Sequence, residues 1–397
     1  MTKKTDKSNW GSNTVLAHAG NNPQDYFGFV NPPVVHASTV LFPDSATMAG
    51  RNQKYTYAIH GTPTSDALSE AVDALEGSAG TIIVPSGLAA VTIPLLAFLK
   101  TGDHMLMVDS VYHPTRRFCD TMLRDIGIEV TYYDPLMGAD IKSLIQTNTR
   151  VVFTESPGSN TFEIQDIPAI SKVAHDHGAV VMMDNTWATP LYFKALDFGV
   201  DLSIHAATKY PGGHSDVMLG LVSANAQNLA RLKETQMLLG VCGSPDDSYQ
   251  ILRGLRTMGV RLEQHGKSAL EIAQALNGMP GVARVLHPAL PDFPGHALWK
   301  RDFKGSSGLF SIVLDGGPDQ AKWVGKAHAF LDALEIFGLG YSWGGYESLA
   351  VHAHLDDRTI AKKPSEGPVM RLQIGLEDCA DLLQDLRGAI TAANEIT

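Results

Sequence analysis

Residues 179–223 read AVVMMDNTWATPLYFKALDFGVDLSIHAATKYPGGHSDVMLGLVS, and their pattern decides the fold class. Three short apolar runs stand out: AVVMMD (179–184), LSIHA (202–206) and MLGLVS (218–223). Each has strand length and is bounded by polar or Pro/Gly punctuation. The first ends on an acid, Asp184, and the second leads into Thr208, Lys209 and a Tyr-Pro-Gly-Gly turn. A lysine where an apolar strand gives way to such a turn sits at a strand end rather than on a solvated helix face.

Further strands are expected upstream at TIIV (81–84), HMLMV (104–108), EVTYY (129–133) and RVVFTE (150–155). Amphipathic helices are expected over 89–100, 115–127 and 168–178, so most crossovers are helical. This alternation predicts a mostly parallel seven-stranded sheet with helices on both faces, an α/β fold whose ligands bind beyond the carboxyl ends of the strands. Residues 1–60 lack periodicity and read as an N-terminal arm resting on a neighbouring subunit. A helix follows at SDALSEAVDALEG, capped by Thr64 or Ser65 and stopped by Gly77. Residues 61–255 form the expected large domain. Beyond a long helical pattern reaching Leu276, the strands at 308–315 and 371–377 and the helices at 326–337 and 379–393 predict a smaller α+β domain over 256–397. Two Gly-rich aromatic stretches between them, GLGYSWGGYESLAVHAH and DDRTIAKKPSEGPVM, read as loops.

Composition narrows the class. The 397 residues carry 44% hydrophobic and 18% charged side chains, as in an ordinary globular chain. A formal net charge of -11, with no basic cluster, argues against a nucleic-acid surface. The polar start MTKKTDKSNWGSNT has no signal-peptide core, and no apolar run is long enough to span a membrane. Three scattered cysteines, Cys119, Cys242 and Cys379, suit a reducing compartment, and a cytoplasmic location is expected.

Three strand ends carry the chemistry. Asp184 alone is equally well a helix cap or a ligand group, and Asp184 with Lys209 could form a plain ion pair. The third end, Ser86-Gly87-Leu88, is a tight turn feeding a helix, whose backbone N–H groups suit a phosphate. A phosphate cradle, an acid and a buried lysine together are what pyridoxal phosphate requires. The lysine forms the Schiff base, and the acid keeps the ring nitrogen protonated so that the ring accepts electrons.

The stretch DNTWATPLYFKALDFGVDLSIHAATKYPGGHSD resembles the core signature of the Cys/Met-metabolism (trans-sulfuration) enzymes of PLP fold type I, with similarity running from about residue 15 to the C-terminus. That resemblance implies Lys209 as the Schiff-base residue and Asp184 on the ring nitrogen. It further implies Gly87, Leu88 and Thr208 on the phosphate, and Tyr112 stacked on the ring. Read without the family, Tyr112 is a packing aromatic. The segment GYSWGGYESLA is most similar to the cystathionine β-lyases within the family, which implies Ser342, Trp343 and Arg371 as substrate contacts. On their own residues, Arg371 could make a surface ion pair and Trp343 could fill the core.

The implied reaction is β-elimination of L-cystathionine to L-homocysteine, pyruvate and ammonia, in methionine biosynthesis. Alternatives are a γ-acting relative (a γ-synthase or methionine γ-lyase), a broad C–S lyase with racemase side activity, or a binding module that keeps the fold. The resemblance also implies a homotetramer, a dimer of dimers with shared active sites, in which Tyr57 crosses to the neighbour's phosphate and substrate. Two departures thin that phosphate site: Ile59 stands where the family has arginine, and Ala206 where it often has serine. The pairs His175/His177 and His352/His354 lack the acidic or cysteine companions of a zinc site, so no metal is expected.

Overall fold

A computed structural model of the chain describes residues 10–396; the extreme polar start, residues 1–9, lies outside them. Two sheets organise the molecule. The first holds seven strands: β1 (Gly80–Val84), β2 (His104–Val108), β3 (Glu129–Tyr133), β4 (Thr149–Glu155), β5 (Val180–Asp184), β6 (Leu202–Ala206) and β7 (Gly220–Ala224). Their spatial order is β1-β7-β6-β5-β4-β2-β3, and only β7 runs against its neighbours. The expected mostly parallel, seven-stranded α/β sheet is therefore present.

Alternation along the strands builds a core on each face. Ile82 and Val222 point into one cluster with Val91 and Leu95 of the helix Gly87–Phe98. Ile83 and Leu221 point into the other, with Leu68 and Val72 of Pro63–Glu76 and Ile251 and Leu255 of Pro245–Leu276. Because side chains alternate with period two, neighbouring residues of one strand serve opposite layers, and a sheet buried on both sides reads as a continuous apolar run.

The second sheet has the order β10-β11-β12-β9-β8, from β8 (Val282–Leu286), β9 (Leu309–Leu314), β10 (Gly338–Leu339), β11 (Leu349–Ala353) and β12 (Val369–Gln373). Sequence reading finds β9 and β12 but not β8, β10 or β11. The last two lie inside the stretch read as a loop, GLGYSWGGYESLAVHAH. Five-residue strands flanked by glycine and aromatics give too little periodicity to be seen. Arg371, expected at a strand start, lies in the middle of β12.

Other expectations shift in detail. The helix Pro63–Glu76 is capped by Thr62, two or three residues earlier than expected, through a reciprocal box with Ser65; it ends at Gly77 in the left-handed region, φ 71°. The strand expected at 218–223 starts at Gly220. The helix expected over 115–127 is Ser-free and irregular, an α-helix His113–Phe118 followed by a π-turn Cys119–Leu123. The 255/256 division falls inside the continuous helix Pro245–Leu276. The arm is partly docked on its own chain: the Arg256 guanidinium donates to Leu16 O, Ala19 O and Asn21 Oδ1 at 2.6–2.8 Å. Beyond that point Phe27, Phe29, Val30 and Leu41 are exposed.

The two sheets are tied together beside Lys209. The Gly308 N–H donates to the Tyr210 hydroxyl at 2.8 Å, and the Trp187 indole donates to Leu309 O at 2.9 Å. The segment linking β11 to β12 is also held to the large sheet. Asp109, buried at the end of β2, accepts from the backbone N–H groups of Thr359, Ile360 and Ala361 at 2.6–3.3 Å and from Arg116 at 2.5 Å.

Candidate active site

The spatial order β7-β6-β5-β4-β2 sets four side chains in a row along the carboxyl-end rim. Lys209 follows β6, Asp184 ends β5, Glu155 ends β4, and Tyr112 follows β2. All four line one cavity of about 290 Å³. Gly87, Leu88, Thr208, Trp343 and Arg371 line it too, so the structure brings nearly all the expected residues together. Ser342 reaches it through Lys209.

Lys209 Nζ donates to Ser342 Oγ at 2.8 Å and stands 5.4 Å from the centre of the Trp343 ring. Burial, and after it the Arg371 charge, lowers the Lys209 pKa to about 8, with Asp184 opposing. The amine is thereby brought towards its neutral, nucleophilic form. The Trp343 segment can cross so closely because residue 344 is glycine: φ is 83°, and a Cβ there would meet Lys209 Cα at 3.1 Å and Tyr210 N at 2.9 Å. Trp343 also packs on Tyr210, ring centres 5.5 Å apart, so it serves both core and cavity.

Asp184 uses one oxygen for structure. Oδ1 accepts from Thr186 N at 3.0 Å and Thr186 Oγ1 at 2.5 Å, and Thr186 Oγ1 in turn accepts the Ala206 N–H at 2.9 Å. This chain of bonds fixes the end of β5 to the end of β6. Oδ2 has no hydrogen-bond partner among the described residues and faces the cavity. Burial raises the Asp184 pKa, and the Thr186 bonds oppose that rise.

The phosphate end is built at the helix Gly87–Phe98. Its cap Ser86 accepts the Ala89 N–H at 3.1 Å, and the N–H groups of Gly87 and Leu88 have no partner among the described residues. Gly87 is required where the helix meets β6, since a Cβ would lie 2.5 Å from the Ala206 Cβ. Thr208 Oγ1 accepts from Leu219 N at 3.1 Å. Arg371 Nη2 donates to Tyr341 O at 2.7 Å, and no carboxylate of the described residues pairs with its guanidinium. That removes the ion-pair reading and leaves the rest of the fork facing the cavity. Burial lowers the Arg371 pKa to about 10.

Tyr57 is the exception. It is half exposed and, with Ile59 and His60, lines a different cavity of about 630 Å³. Sequence reading missed Glu155 and Thr186. Glu155 closes RVVFTE just as Asp184 closes AVVMMD, so an acid at the end of an apolar strand was the available signal. The histidine pairs lie outside the cavity. His177 donates to Val173 O at 2.8 Å and His175 pairs with Asp201 at 2.9 Å, while the His352 ring on β11 meets that of His354, just past its end, at 4.4 Å. No helix among the described residues is long and apolar enough to cross a membrane.

A free carboxylate oxygen, two unpartnered helix N–H groups and a lysine with a depressed pKa converge here. This donor set fits pyridoxal phosphate. Comparisons with known proteins agree. The model of the Cys/Met metabolism PLP-dependent enzymes matches residues 13–391. The chain is 68% identical over 389 residues to a putative cystathionine beta-lyase of Rhizobium johnstonii, covering 98% of each chain. It is 45% identical over 386 residues to the cystathionine beta-lyase MetC of Escherichia coli, covering 94% of this chain and 96% of that one. Among solved structures, cystathionine gamma synthase from Xanthomonas oryzae pv. oryzae, in complex with aminoacrylate and cysteine, superposes with a TM-score of 0.89 at 34% identity, over 98% of this chain and 100% of that one. A γ-synthase thus shares the whole fold, so architecture alone does not separate β from γ chemistry. From the site and these likenesses together, the chain belongs to the Cys/Met metabolism PLP-dependent enzymes and takes pyridoxal phosphate as its cofactor.

Proposed function

We propose that the chain is a carbon–sulfur β-lyase that converts L-cystathionine and water to L-homocysteine, pyruvate and ammonia. The observation that carries this reading is the convergence of Ser342, Trp343 and Arg371 on Lys209, in a chain 68% and 45% identical to two proteins named for that activity. When bound, the cofactor supplies an electron sink for charge developing at the substrate Cα. Its phosphate is assigned to the Gly87 and Leu88 N–H groups and the Thr208 hydroxyl, and its ring nitrogen to Asp184 Oδ2.

Lys209 Nζ takes the Cα proton and delivers it to the departing sulfur, so one group serves as base and then acid. Ser342, 2.8 Å away, holds the amine in position between these transfers. Tyr112 would stack on the ring, and Trp343 would shape the distal pocket; both line the cavity. Arg371 takes the substrate carboxylate, because a guanidinium fork donates to both of its oxygens and so fixes the orientation of the Cα–H bond. Replacing Arg371 by leucine is expected to lower kcat/KM about 100-fold, mainly through KM, from the loss of charge-assisted bonds worth about 3 kcal/mol. Steady-state kinetics on cystathionine checks this; an unchanged KM would move the carboxylate elsewhere.

Residues 61–255 are proposed as the PLP-binding large domain and 256–397 as the C-terminal α+β domain, joined through the continuous helix Pro245–Leu276, in a cytoplasmic homotetramer built from dimers. Tyr57, half exposed and absent from its own chain's cavity, is then free to complete the neighbour's site. Ile59, two residues on, leaves that crossing segment without a guanidinium. Ile59→Arg is expected to tighten PLP retention by about tenfold or more, the value of one charge-assisted bond of about 1.5–3 kcal/mol. Equilibrium dialysis measures it, and unchanged affinity would show that another cation already serves.

Product analysis tests the activity itself. Pyruvate with homocysteine from cystathionine supports the β-lyase; 2-oxobutyrate with cysteine would make the chain a γ-lyase. Enantiomer analysis of incubated L-alanine separates off a racemase.

A further inference from the structure

We propose that Glu155 is a positioning residue of this site, acting as a neutral carboxylic acid: its Oε2 holds the Tyr112 backbone, and beside Asp184 it leaves the pair a single negative charge. The inference rests on the cofactor site and not on the substrate proposed above.

Geometry makes the pair. Glu155 and Asp184 are register partners on the parallel strands β4 and β5, so their side chains leave the same face of the sheet at adjacent strand ends. Both line the cavity. Glu155 Oε2 accepts the Tyr112 N–H at 2.8 Å, and its backbone carbonyl accepts from Gln165 Nε2 at 2.8 Å. The acid thus fixes the turn from which the Tyr112 side chain departs. Its Oε1 has no partner among the described residues.

The surrounding charges favour a neutral Glu155. The groups that face it are Asp184, Tyr112, Glu163 and Arg358. Arg358 is the cation among them, and it is already engaged: Nη1 donates to Glu163 Oε1 at 3.0 Å and Nη2 to Ser159 O. The Arg116 guanidinium is held by Asp109. Two close carboxylates do not both ionise readily, and the Lys209 charge in the same cavity favours the ionised form of Asp184 rather than that of Glu155. Burial first, then the Asp184 charge, raises the Glu155 pKa well above its usual 4.5, while the Tyr112 N–H and Arg358 oppose. Asp184 is the member better placed to keep the charge, since Oδ1 accepts two hydrogen bonds from Thr186. One anion at the ring-nitrogen position, rather than two, also spares Lys209 an upward pull.

The sign of the pH effect follows. A carboxyl whose pKa is raised on folding binds more protons folded than unfolded above pH 4.5, so it costs stability increasingly as pH rises from there through its folded value. Glutamine keeps the acceptor oxygen for Tyr112 but never ionises. In PLP-loaded enzyme, the thermal midpoint of Glu155→Gln minus that of the wild type is therefore expected to grow more positive with pH above 4.5. A difference that stays flat, or turns negative, would mean an ionised Glu155 and overturns the proposal. Glu155→Ala is expected to weaken PLP retention about tenfold in equilibrium dialysis, and Glu155→Gln less than about threefold. Equal losses in the two variants also overturn it, since the charge would then be what matters. Should the variants not fold, carbon-13 glutamate labelling of the wild-type holoenzyme decides: an isotope-shifted protonated-carboxyl infrared band at neutral pH is expected, and its absence refutes the neutral acid.

Discussion

Lys209→Ala is expected to abolish the visible chromophore formed with PLP and to lower turnover of cystathionine by at least about 10⁴-fold, since one side chain supplies both the covalent hold and the proton transfers. Absorbance after borohydride treatment and single-turnover product analysis read the two losses separately. A full reducible chromophore in the variant would assign the covalent role to another lysine. The wild-type amine adds a pH signature. With its pKa lowered to about 8, chiefly by burial, the neutral fraction of Lys209 rises with pH up to that value and levels beyond it. The rate of PLP capture by apoenzyme is expected to climb about tenfold per pH unit well below 8 and then to plateau. The same depression means that the folded chain holds fewer protons than the unfolded one between about 8 and 10.5. Lys209 thus opposes folding below that window, and the penalty is relieved as pH rises through it.

Asp184→Asn carries the second large effect. Asparagine preserves the Oδ1 acceptor for Thr186 N and Oγ1, and with it the tie from β5 to β6, so the fold is expected to persist. What disappears is the negative charge on Oδ2, the oxygen without a protein partner. Without it the ring nitrogen loses the group that keeps it protonated, and kcat is expected to fall about 10³-fold, the scale of removing one fixed electrostatic stabiliser. PLP should remain bound with a changed absorption spectrum. An unchanged kcat would move the ring away from Asp184.

The sequence was most legible where local pattern and chemistry coincide. All seven apolar runs expected for the large sheet fell on observed strands within two residues because a doubly covered sheet needs continuous hydrophobicity, and Asp184 and Lys209 announced themselves by interrupting it at strand ends. The Ser86-Gly87-Leu88 turn was visible for the same reason: small residues before an apolar helix are a local signal. Glu155 carried the same mark as Asp184, yet nothing local says that β4 and β5 lie side by side in register. Strands β8, β10 and β11 escaped because their short runs are held by partners far away in the chain, β11 against β10 and β12, and β8 against β9.

By itself, then, the sequence determined an α/β sheet with a lysine, an acid and an anion-binding turn at its strand ends. Tertiary structure alone decided which ends are neighbours: the order β6-β5-β4-β2 puts Lys209, Asp184, Glu155 and Tyr112 in one row, with β3 and β7 placed outside it. It also decided that Arg371, in mid-strand, lines the same cavity with a guanidinium anchored through Nη2 to Tyr341 O and paired with no carboxylate of the described residues. The physical reason is that strand adjacency and register come from backbone hydrogen bonds between residues distant in sequence, and those pairings leave no periodic trace in the residues they bring together.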